Sequence, residues 1–135
     1  MQARPLAVSG AWELTPVQHR DERGTFLEAF SDSALRAATG RGLRIAQVNT
    51  SVSKAGVVRG LHLSDVPPGQ AKYVTCARGA VLDVVVDLRV GSPTFGAWEG
   101  VLLDEVERKA VLVPEGLGHG FCALEDDSTV LYLCS

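Results

Sequence analysis

The chain has 135 residues, of which 46% are hydrophobic and 21% are charged, and its formal net charge at pH 7 is −3. This length and composition are typical of one globular domain with a single core. The small negative charge excludes a general attraction to nucleic acid or to an anionic membrane, so individual Arg or Lys side chains must hold any anionic ligand.

Three cysteines, Cys76, Cys122 and Cys134, lie far apart and form no C-x-x-C pair. Their odd number and wide spacing argue against a disulfide framework and for a reducing compartment. Residues 1–16 contain no sustained apolar run, and no segment approaches the ~20 apolar residues of a membrane span. We therefore expect a cytoplasmic protein without a signal peptide that binds neither membrane nor nucleic acid.

Short extended segments separated by Gly- and Pro-containing turns make up most of the chain. The segments predicted as strands are 11–19, 25–30, 43–53, 56–62, 71–76, 80–88, 98–103, 110–113, 121–124 and 129–134. One short helix is predicted over Ala34–Ala38, with Ser31 or Asp32 as its N-cap and Gly40 at its exit. Many short strands with almost no helix indicate an all-β sandwich or barrel in a single domain.

Two of these strands carry polar side chains at alternating positions. Gln47, Asn49 and Ser51 share one face of the strand 43–53, which is either a solvated surface or the lining of a polar pocket. Asp83 and Asp87 share one face of the strand 80–88. We expect that second face to meet water, a cavity or a cationic partner.

The segment 56–62 carries the residues around which a site is predicted. Arg59 and His62 lie three positions apart, so on a regular strand they would point to opposite faces. Gly60 stands between them, and a glycine inside a strand often marks a bulge, which would return both side chains to one face. An anion-binding arginine beside a titratable histidine suits an active site. The alternative is a strand with one surface arginine and one hydrogen-bonded histidine.

The segment Pro114–His119 fits the pattern P-x-G-x-x-H, which resembles the second motif of cupin jelly rolls. Metal-binding cupins usually also carry H-x-H and a downstream glutamate, whereas the earlier strand here offers only His62. Two histidines without a third ligand make a poor transition-metal site, and His19 is predicted to be a surface residue. We predict no metal, and a metal-dependent cupin oxygenase or isomerase is the weakest alternative.

A series of short segments runs in one order over nearly the whole chain. They are 21–24 (DERG), Phe26 with Glu28, 47–49 (QVN), 58–62 (VRGLH), Lys72, 84–89 (VVVDLR), 91–96 (GSPTFG) with Trp98, 114–121 and Tyr132. Together they resemble the dTDP-4-dehydrorhamnose 3,5-epimerase family, in particular its members from antibiotic deoxysugar pathways. The resemblance implies a cupin-like jelly-roll β-barrel with one short helix that works without a cofactor.

The same resemblance implies an epimerase that acts on a dTDP-linked 4-keto-6-deoxyhexose at C3, C5 or both. The keto group acidifies the neighbouring C–H bonds, so a base can form an enolate and an acid can return a proton to the opposite face. By the resemblance His62 is the base, Tyr132 is the acid and Lys72 stabilises the enolate oxygen. A non-catalytic nucleotide-sugar-binding cupin is the alternative.

The residues implied to bind the substrate lie in several segments. Arg23 and Arg59 are expected to hold the diphosphate, because a guanidinium offers paired donors to phosphate oxygens. The remaining expected contacts are Phe26, Glu28, Gln47, Asn49 and His119. In the family the chain start near Arg23 crosses to the neighbouring subunit, so a homodimer is also expected.

The sequence departs from the family pattern in two places. Leu63-Ser64 follows the base histidine, where the family often has an aromatic residue and a glutamine, and this bears on which carbon is epimerised. The family chain also continues beyond the position of Ser135 and supplies there an aspartate that pairs with the base. We expect this chain to be a fragment that lacks that segment. The alternatives are that Asp83 replaces the aspartate or that the chain is a degenerate member.

Overall fold

Twelve strands and one helix follow one another in the computed structural model, which describes residues 1–135. The elements are β1 (Gln2–Pro5), β2 (Trp12–Thr15), β3 (Gln18–Asp21), β4 (Gly24–Leu27), α1 (Asp32–Thr39), β5 (Gln47–Ser53), β6 (Val58–His62), β7 (Lys72–Arg78), β8 (Ala80–Asp87), β9 (Trp98–Asp104), β10 (Ala110–Val113), β11 (Leu117–Ala123) and β12 (Ser128–Cys134). The helix has eight residues, and nothing helical in the chain is long and apolar enough to cross a membrane.

The strands form two facing antiparallel sheets and a separate hairpin. The first sheet has six strands in the order β1-β2-β10-β7-β12-β5, and the second has four in the order β6-β11-β8-β9. Strands β3 and β4 pair only with each other. The predicted all-β fold with one short helix is confirmed, although the two sheets do not close into one continuous barrel.

The main core lies between the two sheets. It contains 15 buried residues, among them Val74 and Val111 from the first sheet and Val85 and Phe121 from the second. A smaller core of seven buried residues lies on the other face of the six-stranded sheet. There Leu35 of α1 packs with Leu14, Tyr73 and Leu112, so the helix covers that face.

The helix has the predicted caps, Ser31 and Gly40, but it spans Asp32–Thr39 and is thus longer than the predicted Ala34–Ala38. The Ser31 hydroxyl accepts a hydrogen bond from the Ala34 amide at 3.4 Å, and Gly40 has the left-handed φ of 75° that ends many helices. The strands on either side of it are shorter than predicted, because β4 ends at Leu27 and β5 begins at Gln47. The apolar residues between strand and helix serve the smaller core instead: Phe30 packs edge-on against Tyr73, and Leu43 is buried.

Strand β8 places its carboxylates inside the sandwich. Asp83 and Asp87 are fully buried, whereas Leu82 on the opposite face is 42% exposed. Each carboxylate has a side-chain partner, which is His119 for Asp83 and the cationic Arg89 for Asp87. The outer face of the four-stranded sheet is correspondingly apolar and exposed, with Leu82, Leu102, Val58, Leu61 and Trp98 on it.

Asp87 organises the turn after β8. Its carboxylate accepts hydrogen bonds from the Arg89 guanidinium at 2.8 and 2.9 Å and from the hydroxyls of Ser92 and Thr94 at 2.6 Å each. These donors, above all the Arg89 guanidinium, hold the pKa of Asp87 well below the ordinary carboxyl range despite its burial. The carboxylate is therefore ionised in the folded protein even in moderate acid.

The variant Asp87→Asn removes this charge, and we expect it to lower the free energy of unfolding at pH 7 by about 2–4 kcal/mol. Because the folded pKa is lowered, the stabilisation is present above the unfolded carboxyl pKa of about 4 and is lost as the pH falls through the folded value. The difference between wild type and variant in urea unfolding should therefore be smaller at pH 3 than at pH 7.

The control is Asp65→Asn, which alters an exposed carboxylate in the loop before β7 and should change the free energy of unfolding little at either pH. An Asp87→Asn loss of equal size at both pH values would contradict the assignment of the stabilisation to the ionised Asp87.

Candidate active site

A bulge in β6 brings Arg59 and His62 to one face. In the pairing of β6 with β11, Arg59 lies opposite Phe121 and His62 opposite His119. Three steps along β6 therefore match two steps along β11, so one extra residue is inserted in β6. The predicted break in alternation is confirmed, and both side chains line one cavity although both residues are exposed.

The bulge depends on two glycines that face each other across the strands. Gly60 has a φ of 118°, and a Cβ atom on it would lie 2.7 Å from the Cα of Gly120 and 2.8 Å from the carbonyl oxygen of His119. A Cβ on Gly120 would lie 2.7 Å from the carbonyl oxygen of Arg59. Only glycine fits at either position without moving the backbone.

The inward side chains surround a cavity of about 200 Å³ between the two sheets. Six of the predicted site residues line it, namely Asn49, Arg59, His62, Lys72, His119 and Tyr132. Gln70, Gly120, Phe121 and Cys134 line it as well and were not predicted. Strand alternation would have found two of these, because Phe121 and Cys134 each lie two positions after a predicted inward residue.

The phenol of Tyr132, at the side of the cavity, is hydrogen-bonded to the hydroxyl of Ser51. Its phenol oxygen lies 3.0 Å from the Ser51 hydroxyl, and its ring packs near those of His119 and Phe121. Burial raises the pKa of Tyr132, while the hydrogen bond with Ser51 and the charge of Arg59 act in the opposite direction. The phenol is therefore protonated at neutral pH, as a proton donor must be.

Arg59 and Lys72 supply the positive charge of the cavity. The Arg59 Nε donates to the Ser53 hydroxyl at 3.0 Å and its Nη2 to the Val52 carbonyl at 3.3 Å. These bonds fix one edge of the guanidinium and leave its Nη1 group for a ligand. Lys72 begins β7 as a half-buried side chain outside every ion pair of the structure, so its ammonium is free to meet a negative charge.

Asp83 pairs with His119 rather than with His62. The His119 Nε2 lies 2.8 Å from the Asp83 Oδ2, whereas the buried Oδ1 of Asp83 has no partner. Burial raises the pKa of Asp83, and His119 and then Lys72 oppose that effect. The alternative that Asp83 replaces the partner of the base is thus wrong, because β8 neighbours β11 while His62 lies on β6 at the sheet edge.

His62 and His119 are direct cross-strand partners, and the nearby Asp83 carboxylate is hydrogen-bonded to His119. No three His, Cys, Asp or Glu side chains come together in a group that could hold a metal ion. The cavity thus offers two imidazoles, a phenol, an ammonium and a guanidinium, which together suit proton transfer next to an anionic group.

Comparison with known proteins agrees with this chemistry. The family model described as dTDP-4-dehydrorhamnose 3,5-epimerase matches residues 5–135. The chain belongs to this family.

Individual relatives match over the whole chain. A dTDP-4-dehydrorhamnose 3-epimerase of Streptomyces niveus is 62% identical over 100% of this chain and 65% of the relative. A dTDP-4-dehydrorhamnose 3,5-epimerase of Mycobacterium tuberculosis is 60% identical, with 100% of this chain and 67% of the relative covered. The chain thus spans about two thirds of the length of the curated relatives that it matches.

A solved structure of the same kind confirms the predicted cupin-like fold. ChmJ, a 3′-monoepimerase from Streptomyces bikiniensis in complex with dTDP-quinovose, superposes with a TM-score of 0.92 at 51% identity, and the match covers 99% of this chain and 67% of that one. This chain and ChmJ therefore share one fold over nearly the whole length of this chain.

Four predicted substrate ligands of this epimerase family member lie outside the cavity. Arg23, Phe26 and Glu28 belong to the β3–β4 hairpin or follow it directly, and none of them lines the cavity. Arg23 is bound to Asp21 at 2.6 Å, and Phe26 is 71% exposed. Gln47 begins β5 and donates from its side-chain amide to Asn49 at 2.7 Å.

The variant Gly60→Ala tests the bulge. We expect it to lower the free energy of unfolding by roughly 3 kcal/mol or more, because its Cβ meets the backbone of β11 in addition to the unfavourable positive φ. Gly56→Ala is the matched control: Gly56 has a φ of 80° but nothing within 4 Å of its Cβ position. Gly56→Ala should lower the free energy of unfolding by only about 1–2 kcal/mol, which is the cost of placing alanine in a left-handed backbone conformation. Equal losses in urea unfolding would show that the approach to β11 does not matter.

Proposed function

We propose that this chain is a cofactor-independent epimerase of a dTDP-linked 4-keto-6-deoxyhexose in deoxysugar biosynthesis, acting at C3, C5 or both. The observation that carries the proposal is the meeting of His62, Lys72, Tyr132 and Arg59 in one cavity. The relatives named above are epimerases of such substrates, and one of them was solved with a dTDP-sugar.

In this proposal His62 removes the proton from the carbon next to the C4 keto group, and the electron pair of the C–H bond becomes the enolate. The Lys72 ammonium faces the developing negative charge on the C4 oxygen. Tyr132 donates its proton to the opposite face of the same carbon, which inverts it, and the C4 ketone re-forms. Arg59 binds the diphosphate through the donors that Ser53 and Val52 leave free.

The proposal includes both carbons for a specific reason. Relatives of nearly equal identity to this chain, 62% and 60%, are named as a 3-epimerase and as a 3,5-epimerase. We expect the choice to depend on the surroundings of the base, where Leu63-Ser64 directly follows His62.

No carboxylate among these 135 residues pairs with His62, and Asp83 is hydrogen-bonded to His119 instead. We propose that a carboxylate from outside them orients the His62 ring in the active protein, as the family resemblance implies.

We also propose that the protein is cytoplasmic. Its three cysteines are all free thiols, which agrees with a reducing compartment.

Deuterium exchange in D₂O tests the reaction. His62→Asn should abolish both exchange into the substrate and product formation, because no enolate forms. Tyr132→Phe should keep substantial exchange while inverted product falls by roughly 10²-fold, the usual contribution of a general acid. Wild-type protein that binds the dTDP-sugar but never exchanges would instead be a nucleotide-sugar-binding cupin. Exchange that survives His62→Asn would remove His62 as the base.

We also propose a homodimer in which the hairpin of one subunit completes the cavity of the other. A cavity of about 200 Å³ is smaller than the ~300–1,000 Å³ of most small-ligand sites, so the nucleotide of a dTDP-sugar would extend beyond it. The hairpin presents an exposed aromatic ring on Phe26 and an exposed guanidinium on Arg23, which suit a base and a phosphate. If these residues bind substrate, they serve a cavity other than the one in their own subunit.

Mixing two inactive variants tests this arrangement. In a heterodimer of Arg23→Ala and His62→Asn subunits, one cavity has both an intact base and an intact partner hairpin. After exchange of subunits, we expect roughly a quarter of wild-type turnover, since half of the dimers are mixed and each has one complete site. Activity no higher than the mean of the unmixed variants, or a monomer in light scattering, would contradict the shared site.

A further inference from the structure

The inward face of β5 connects with two different parts of the cavity. Ser51 and Ser53 lie two positions apart and both point into the sandwich, whereas Val52 between them is 57% exposed. The Ser51 hydroxyl contacts the phenol of Tyr132 at 3.0 Å, and the Ser53 hydroxyl accepts from the Nε of Arg59 at 3.0 Å. Each serine therefore touches one residue of the proposed machinery and does not line the cavity itself.

We propose that Ser51 and Ser53 are positioning residues with separate tasks, Ser51 for the proton donor Tyr132 and Ser53 for the diphosphate ligand Arg59. The inference rests on the function proposed above and adds two residues to it. Neither residue belongs to the segments that carry the family resemblance.

The task of Ser51 follows from the chemistry of the phenol. When Tyr132 gives its proton to the substrate, a phenolate is left in a half-buried place where its negative charge is poorly solvated. A Ser51 hydroxyl at 3.0 Å can donate to that oxygen and stabilise it. The same hydrogen bond fixes the direction of the phenol before the reaction. Removing the hydroxyl should therefore impair reprotonation and leave proton abstraction by His62 intact.

The task of Ser53 is geometric. Arg59 is an exposed residue, and its long side chain would otherwise sample many rotamers. Ser53 is only 4% exposed, and its hydroxyl and the neighbouring Val52 carbonyl hold one edge of the guanidinium. The free edge is thereby presented to an anion at little further cost in side-chain entropy. Removing the Ser53 hydroxyl should weaken diphosphate binding and leave the proton transfers unchanged once substrate is bound.

The test compares Ser51→Ala and Ser53→Ala in the same assays, with Thr50→Ala as the control. Thr50 lies on the same strand with its hydroxyl on the outer, exposed face. Ser51→Ala should lower inverted product about 3–10-fold relative to deuterium exchange and leave dTDP affinity unchanged. Ser53→Ala should weaken binding of dTDP and of inorganic diphosphate about 3–10-fold and leave the ratio of product to exchange unchanged. Thr50→Ala should change neither.

Double variants separate positioning from a general loss of structure. Ser51→Ala should add nothing to Tyr132→Phe, and Ser53→Ala should add nothing to Arg59→Ala, because each pair acts through one contact. Ser51→Thr, which restores a hydroxyl, should recover product formation. The proposal would be overturned if the serine substitutions added their full effect to Tyr132→Phe and to Arg59→Ala. It would also be overturned if Ser51→Ala and Ser53→Ala each impaired both dTDP binding and formation of inverted product.

Two readouts do not depend on turnover and so distinguish failure of this inference from failure of the proposed function. The chain has only two tyrosines, so a labelled Tyr132 ring can be titrated by NMR. Its pKa should rise in Ser51→Ala, because the hydrogen bond that lowers it is lost, and should stay unchanged in Ser53→Ala. The Arg59 Nε–H resonance should shift in Ser53→Ala only. Unchanged spectra would refute the positioning roles, whereas correct spectra with a wild type that neither binds dTDP nor exchanges deuterium would refute the epimerase.

Discussion

The approach of Gly60 to the backbone of Gly120 determines which side chains can meet in the cavity. Without a side chain at either position, β6 can insert one extra residue and still pair with β11. That insertion turns Arg59 and His62 to the same side. A regular strand would present either the guanidinium or the imidazole to the substrate, but not both, so the proposed chemistry depends on a local irregularity of the sheet.

The two carboxylates of β8 show how the same residue type on one strand face serves different purposes. Asp87 receives several donors, including a guanidinium, and its pKa is lowered, so it acts as a fixed anion that holds a turn. Asp83 has one partner and one oxygen without any, and burial raises its pKa. The difference lies in the number of donors around each carboxylate, since both are fully buried. The carboxylate with several protein donors holds a turn, and the one with a single partner lies next to the cavity.

The proposed site combines a rigid part and an exposed part. The rigid part comes from strands β5, β6, β7, β11 and β12. Strands β7, β11 and β12 are paired on both sides, and hydroxyls of β5 contact Tyr132 and Arg59. The exposed part is the β3–β4 hairpin, which pairs with no other strand and carries Phe26 and Arg23 into solvent. The proposed substrate, with a sugar, a diphosphate and a nucleoside, matches this division, because the reacting ring requires exact geometry and the nucleoside requires only affinity.

The sequence by itself determined the fold class, the helix with its caps, and six of the ten residues that line the cavity, because alternation, turn glycines and motif order are local properties of the chain. It also indicated that Gly60 breaks the alternation between Arg59 and His62. Only the tertiary structure decided that Asp83 pairs with His119, since that depends on β8 lying beside β11 and not beside β6. Only the tertiary structure showed that Ser51 contacts Tyr132 and that Ser53 contacts Arg59. It also showed that Arg23 and Phe26 do not line the cavity. Such contacts join residues far apart in the chain or across a bulge, and strand order and register, which no local pattern encodes, bring them together.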